Sequence, residues 1–252
     1  MLIPMQTISI NFIVPQGWHE LSDKQLRYVY QLLADEFATD EIKTLCLLQW
    51  SGTKVIGRQE SGAYLLKKGK FLFEVTPLTL AELLPHLDWL AAIPTVPVRL
   101  SKINRQHALP ADFSEVPFET FIICDNLYQG YLQTQDDALL DQLGATLYGK
   151  SMTFKPYERI SIFYWFAALK DAFSRKYSDF FQPIADAATD GNLLGSSAPS
   201  VEDAMNAQIR ALTKGDVTKE GEVLALDTHR ALTELNAQAR EYKELNAKTQ
   251  SK

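Results

Sequence analysis

The chain has 252 residues, of which 46% are hydrophobic, and a formal net charge of −6. Its length and apolar content suffice for one large domain, or for a medium domain with a smaller unit. The acidic balance disfavours sequence-independent binding of DNA or RNA, because contacts with phosphates require an excess of lysine and arginine.

Local patterns in the first fifty residues predict one strand followed by two helices. Apolar and polar residues alternate over 7–14, which is the period of a half-buried strand. Ser22 and Gln25 form a capping-box pattern that predicts a helix. A second helix is predicted from residue 39 or 40 to Trp50.

The next seventy residues predict a hairpin, a helix and an irregular connector. The hairpin spans 63–75, with Gly69 supplying the positive φ that its turn requires. Thr79 and Glu82 form a second capping-box pattern, which predicts a helix that ends before Pro94. Prolines make 94–117 an irregular connector, with one short strand near 96–100.

Three further helices are predicted over 118–132, 136–148 and 156–178. Pro156 suits the first turn of the last helix. That helix is apolar on nearly all sides and should therefore lie at the centre of the core. The following residues, 183–199, have the small and polar composition of a flexible linker.

Beyond this linker, the sequence predicts a helix that ends at Gly215 and a long helix from about 216–218 to 246. A stripe on the long helix repeats with alternating spacings of four and three, which is typical of helix pairing. The stripe consists of Leu224, Thr228, Ala231, Leu235, Gln238, Tyr242 and Leu245. Half of these residues are polar or small, so three placements stay open: against the chain's own body, against another chain, or in solvent.

These elements predict an α+β fold that is mainly α. It has an N-terminal strand and a hairpin among helices, a central buried helix, and a C-terminal helical hairpin. The predicted domains are a globular body over 1–182, the flexible linker over 183–199 and a helical appendage over 200–252. Deletion of the appendage is expected to leave a folded, monomeric body.

One motif suggests chemistry. Gly144–Ser151 fits the phosphate-loop pattern GxxxxGK[ST], in which backbone amides surround the phosphates, lysine pairs with them and the hydroxyl binds magnesium. A nucleotide site would use Gly144, Gly149, Lys150 and Ser151. The context disfavours it, because helical spacing precedes the motif and Pro156 interrupts the helix that should follow. In the structural alternative, Gly149 ends the preceding helix and Lys150 and Ser151 lie in a connector.

Other patterns indicate neither a cofactor nor a catalytic set. Cys46 and Cys124 lie in apolar runs, which predicts buried thiols and a reducing compartment. The four histidines occur singly, without a second histidine or cysteine at metal-ligand spacing, and no GxSxG motif is present. The N-terminus lacks a signal-peptide pattern, and the run over 160–169 is about half of what a membrane span needs. We therefore expect a cytoplasmic protein without metal or membrane contact.

Three stretches resemble uncharacterised proteins of prophages and mobile elements in Bacteroides-type bacteria. They are Trp18–Ser22, Ile160–Phe166, and the tail segments Leu224–Asp227 and Arg230–Leu235. The resemblance implies a virion-assembly or other phage-related role, with virion association as an alternative location. It transfers no functional residue to this chain.

The leading hypothesis is a non-enzymatic assembly or adaptor protein. Its C-terminal helices would dock onto another protein or a second copy of the chain through Leu224, Leu235, Tyr242 and Leu245. The alternative is a nucleotide-binding protein that uses Gly144–Ser151. Neither nucleic acid nor membrane is expected as a partner.

Overall fold

A computed structural model describes residues 10–181 and 201–250, with side chains described except at 201–206 and 250. The chain divides into two compact units, Met1–Ile93 and Pro94–Lys252. The predicted linker 183–199 lies outside the described residues. The helices that follow it belong to the same unit as residues 94–181.

The predicted fold class is confirmed: the structure is α+β and mainly helical. None of the described helices has both the length and the apolar content needed to cross a bilayer. The described helices of the first unit are α1 (Asp23–Ala34), α2 (Thr39–Trp50) and α3 (Pro77–Leu83), and its strands are β1 (Thr53–Arg58), β2 (Tyr64–Lys68) and β3 (Phe71–Val75). Those of the second unit are α4 (Phe118–Thr134), α5 (Asp137–Tyr148), α6 (Pro156–Lys176), α7 (Ser178–Phe181), α8 (Val201–Thr213), α9 (Glu220–Leu224) and α10 (Thr228–Gln250), with strands β4 (Lys102–Ile103) and β5 (Gln106–His107).

The start of the first unit departs from the prediction in one respect. The strand predicted over 7–14 does not form at residues 10–14, which have no regular structure, and 7–9 lie outside the described residues. The two helices follow as predicted, and the capping box of Ser22 and Gln25 is present at the start of α1. Local capping chemistry therefore located the start of α1, whereas period-two alternation did not locate a strand.

The sheet of the first unit has three antiparallel strands in the order β1-β2-β3. The predicted hairpin is β2 and β3, and Gly69 in its turn has a φ of +58°. The sequence did not predict β1, which pairs with β2 through a bulge between Val55 and Gly57. The two apolar residues of β1, Val55 and Ile56, are adjacent in the sequence, so β1 lacks the alternation that predicts a strand, and Ile56 is the extra residue at the bulge.

Helix α3 begins earlier than predicted. Its N-cap is Thr76, whose hydroxyl accepts a hydrogen bond from the Thr79 amide, and Pro77 occupies the first turn. After Leu83 the helix tightens into a 3-10 helix over Leu84–Ala91. The first unit ends just after this helix. There the indole Nε1 of Trp18 donates to the Ala92 carbonyl at 3.1 Å.

The second unit is built around α6, which confirms the predicted central helix. Pro156 occupies its first turn as predicted. Side chains on several sides of α6 are buried, among them Ser161, Ile162, Trp165, Phe166, Leu169 and Phe173. Helices α4 and α5 pack beside it as an antiparallel pair, and both were predicted to within two residues of their ends.

The connector over 94–117 is irregular, as predicted, but it is firmly held. The predicted strand near 96–100 does not form. Two antiparallel strands of two residues each, β4 and β5, follow it instead. The indole Nε1 of Trp165 donates to the Ala111 carbonyl at 2.8 Å, and the Tyr148 hydroxyl donates to the Leu100 carbonyl at 2.9 Å. Phe113 has a φ of +61°, which costs a non-glycine residue about 1–2 kcal/mol. Its fully buried ring compensates for this strain by packing in the aromatic core.

Candidate functional site

The phosphate-loop match does not form a loop. Gly144 lies within α5, and residues 144–148 are the last turns of that helix. A Cβ atom at Gly144 would lie 2.6 Å from Ile162 Cδ1 and 2.6 Å from Phe154 Cε2. Glycine is therefore needed here because α6 and the segment before it approach α5 closely.

The remaining motif residues terminate α5. Gly149 adopts a left-handed conformation with a φ of +68°, and its amide donates to the Ala145 carbonyl. The Lys150 amide donates to the same carbonyl, while the side chains of Lys150 and Ser151 are exposed. Helix α5 rather than a strand leads into the motif, and the amides of Gly149 and Lys150 bond to the Ala145 carbonyl, which differs from the geometry of a phosphate loop. Gly149 ends α5, as the structural alternative predicted.

Carboxylates beside the motif are engaged in holding α5 to α6. Arg159 donates two hydrogen bonds to Asp141, from Nε at 2.8 Å and from Nη2 at 2.7 Å. Arg159 Nη1 also donates to Asp137 at 2.8 Å, and Asp141 accepts from the Phe154 amide. The hydrogen bonds from Arg159 hold the pKa of Asp141 below its usual value. These acids stabilise the helix pair and are not arranged around a magnesium site.

The cysteines and the best-connected histidine also have structural roles. Cys46 and Cys124 are fully buried, and burial raises the pKa of Cys46 to about 12 and that of Cys124 as well. His229 Nε2 donates to the Asp112 carbonyl at 2.8 Å, and its Nδ1 lies 2.8 Å from the Tyr177 hydroxyl. Across residues 10–181 and 201–250, no three His, Cys, Asp or Glu side chains come together as a metal site.

The predicted long C-terminal helix is interrupted at residues 225–227, which corrects the predicted continuous helix over 216–246. A 3-10 turn over Val217–Lys219 leads into the short helix α9, and α10 begins only at Thr228. Asp227 caps α10 by accepting a hydrogen bond from the Arg230 amide at 3.0 Å. The seam predicted from the sequence therefore does not lie on one helix, because Leu224 precedes the break.

Backbone and side-chain hydrogen bonds attach the break to the end of the connector. The Phe118 amide donates to the Leu226 carbonyl at 2.7 Å, and the Glu115 amide donates to Asp227 Oδ2 at 2.8 Å. The amide and the hydroxyl of Thr228 both donate to the Val116 carbonyl. We call these contacts the C-terminal anchor. They place α10 on its own unit, which was one of the three placements left open by the sequence.

The anchor changes which predicted partner-binding residues are accessible. Leu235 is 4% exposed and Leu224 is partly buried, so neither presents a free apolar surface. Tyr242 and Leu245 are 53% and 62% exposed. The predicted set is thus divided between one buried residue, one partly buried residue and two exposed ones.

The stripe continues along α10, but only its first half is buried by other parts of the chain. Thr228, Ala231 and Leu235 form its buried half, with the first two at 0% exposure. Gln238 is partly exposed, and Tyr242 and Leu245 continue the same stripe into solvent. We call Gln238, Tyr242 and Leu245 the distal stripe. Sequence spacing predicted the stripe, but only the three-dimensional packing shows where its cover ends.

Sequence reasoning missed the residues of the anchor. Asp227 is a residue type that favours helix N-caps, and this local signal could have located the start of α10. Its second hydrogen bond joins positions 112 residues apart and has no local signal. No protein-family model, curated protein or solved structure matches this chain.

Proposed function

We propose that this chain is a non-enzymatic assembly protein that associates with a second copy of itself through the distal stripe. The observation that carries the proposal is the change from burial to exposure along one stripe of α10. Its first half packs within the unit, whereas Tyr242 and Leu245 remain more than half exposed. An apolar helix face that continues beyond its internal partner gains free energy when a second helix covers it.

The composition of this part of α10 suits pairing with itself. Arg240 and Lys243 balance Glu241 and Glu244, so residues 239–247 carry no net charge and add no like-charge repulsion at the contact between two copies. In an antiparallel pair related by a two-fold axis, Tyr242 of one copy would lie against Leu245 of the other, and the contact would occur twice. Two exposed side chains on each copy supply far less area than a stable interface requires. The proposed dimer is therefore weak and depends on concentration.

The resemblance to prophage proteins supplies a context for the proposal. A weak contact that is repeated in many copies suits an assembling particle, because several linked contacts bind far more tightly than one. Under this proposal the protein acts in the bacterial cytoplasm or within a virion.

Light scattering over a concentration series tests the proposal with three proteins. The wild-type mass should rise with concentration, while Leu245→Glu should stay monomeric because a charge enters the paired face. Val217→Glu is the matched control, since Val217 is 79% exposed and lies outside α10. It should behave as wild type, and circular dichroism should show that both variants are folded. A wild-type protein that is monomeric throughout, or an association that Leu245→Glu leaves unchanged, would refute the proposal.

A further inference from the structure

The first unit contains an apolar cavity that no sequence pattern indicated. Its volume is about 310 Å³. The lining comes from helices α2 and α3 and from all three strands: Leu45, Leu48, Val55, Leu66, Val75 and Leu80. Ligand sites in proteins begin at about this size and are mostly apolar, with few polar groups to orient the ligand.

The cavity is open rather than sealed within the core. Val55 lines it and is nevertheless 51% exposed, whereas Leu66 and Val75 on the neighbouring strands are buried. Leu66 lies directly opposite Val55 in the pairing of β1 with β2. Apolar surface thus leads from the edge strand into the cavity, and a ligand that covered it would remove this surface from water.

One cation lies next to the cavity wall. Arg58 is directly opposite Tyr64 in the pairing of β1 with β2, and Tyr64 lines the cavity. The guanidinium carbon of Arg58 lies 5.6 Å from the centre of the Tyr64 ring. Among the residues that the structure describes, no carboxylate lies within ion-pair distance of Arg58. Its Nε donates a long 3.4 Å hydrogen bond to the Gly62 carbonyl, which leaves the rest of the guanidinium for a ligand.

From this juxtaposition we propose that the first unit binds a free amphiphile with an apolar body and a carboxylate head. The body occupies the cavity, and the head pairs with Arg58, whose planar fork matches a carboxylate. A cavity of about 150 Å³ accommodates a benzene molecule, so this one suits a body of about ten carbons. The site is separate from α10, so the proposal does not depend on self-association.

Calorimetric titration with decanoate and with 1-decanol tests the two parts of the site. Wild type should bind decanoate saturably at one site and bind decanol about tenfold more weakly, because decanol lacks the charge that Arg58 recognises. Arg58→Gln should reduce decanoate affinity to the level of decanol and leave decanol binding unchanged. Lys54→Gln is its control, since Lys54 is paired with Lys67 in the β1–β2 register and does not line the cavity.

A second pair of variants tests the cavity. Val55→Trp should fill the entrance and abolish binding of both ligands, whereas Ile56→Trp should not, because Ile56 is equally exposed but does not line the cavity. Both changes are at exposed positions, so the variants should fold. The proposal fails if wild type shows no saturable binding of decanoate, or if Val55→Trp binds it as wild type does. Equal affinity for decanoate in wild type and Arg58→Gln would overturn the assignment of the head. Binding of decanoate only when it forms micelles or joins a vesicle would overturn recognition of the free amphiphile.

Discussion

Substitution of Gly144 by alanine sets two effects on helix stability against each other. In an exposed helix, alanine would stabilise the protein by about 1 kcal/mol relative to glycine. At Gly144 the new Cβ would lie 2.6 Å from both Ile162 Cδ1 and Phe154 Cε2, whereas carbon atoms pack at about 3.5–4.0 Å. Both neighbours are buried, so they have little space into which to move. Overpacking of a core costs about 1–3 kcal/mol, and contacts of 2.6 Å place this site in the upper part of that range, at about 2–3 kcal/mol. After the gain of about 1 kcal/mol from alanine, we expect Gly144→Ala to lose about 1–2 kcal/mol in total.

Urea denaturation followed by circular dichroism measures this loss, and hydrogen exchange of residues 137–176 assigns it to α5 and α6. Gly221→Ala is the matched control, because a Cβ there meets no atom within 4 Å. Gly221 is helical in α9, so its replacement should stabilise the protein or leave it unchanged. Gly144→Ala should therefore destabilise the protein, whereas Gly221→Ala should not. A Gly144→Ala protein as stable as wild type would refute close packing as the reason for glycine at this position.

Three further predictions concern the anchor, an ion pair and the thiols. Asp227→Ala should lower the free energy of unfolding by about 1–2 kcal/mol, because a helix cap and the acceptor of a connector amide are lost together. Asp216→Ala, which removes a cap with only local bonds, should cost clearly less in the same urea titration, and equal losses would contradict the role of the anchor. Because the pKa of Asp141 is lowered in the folded state, its charge stabilises the protein above about pH 4, and this contribution disappears as the pH falls through the folded pKa. Asp141→Asn should therefore lose about 1–3 kcal/mol at neutral pH but approach wild type in acid, and a difference that does not vary with pH would contradict this. A thiol reagent such as DTNB should modify Cys46 and Cys124 only after unfolding, and rapid reaction of either in the native protein would show that its burial is wrong.

The elements that the sequence predicted well are those whose signals are local. The start of α1 depends on Ser22 and Gln25, which are three residues apart and bond to each other. Pro156 at the start of α6 likewise acts within its own turn. Such features do not depend on distant parts of the chain, so a single sequence is sufficient to find them.

The elements that were missed depend on distant partners or on competing local signals. Strand β1 carries a bulge, and its pairing with β2 cannot be seen from alternation within β1 alone. At α3, two threonines three residues apart both resemble N-caps, and the proline after Thr76 was the better signal. The break before α10 is held by a connector more than one hundred residues away. Sequence spacing therefore showed the stripe on α10 but not the position at which its burial ends.

The phosphate-loop match illustrates a related difficulty. A short pattern specifies residue types, but it does not specify whether Gly144 serves a loop or a crowded helix. The decisive quantity is the distance to Phe154 and Ile162, which lie ten and eighteen residues further along the chain. The cavity in the first unit has no short sequence pattern, because its lining comes from five separate elements.

The C-terminal anchor has a consequence for the order of events during translation. Glu115 and Asp227 are separated by 112 positions, and at about 5–20 residues per second a ribosome takes about 6–22 s to deliver the second after the first. Until then, the Val116 carbonyl and the Phe118 amide lack the hydrogen-bond partners that they have in the folded protein. We expect stalled nascent chains that end near residue 200 to be cleaved by protease within residues 94–181, and chains extended past α10 to resist it. The second unit would therefore become resistant to proteolysis only after α10 has been synthesised and has bound the connector.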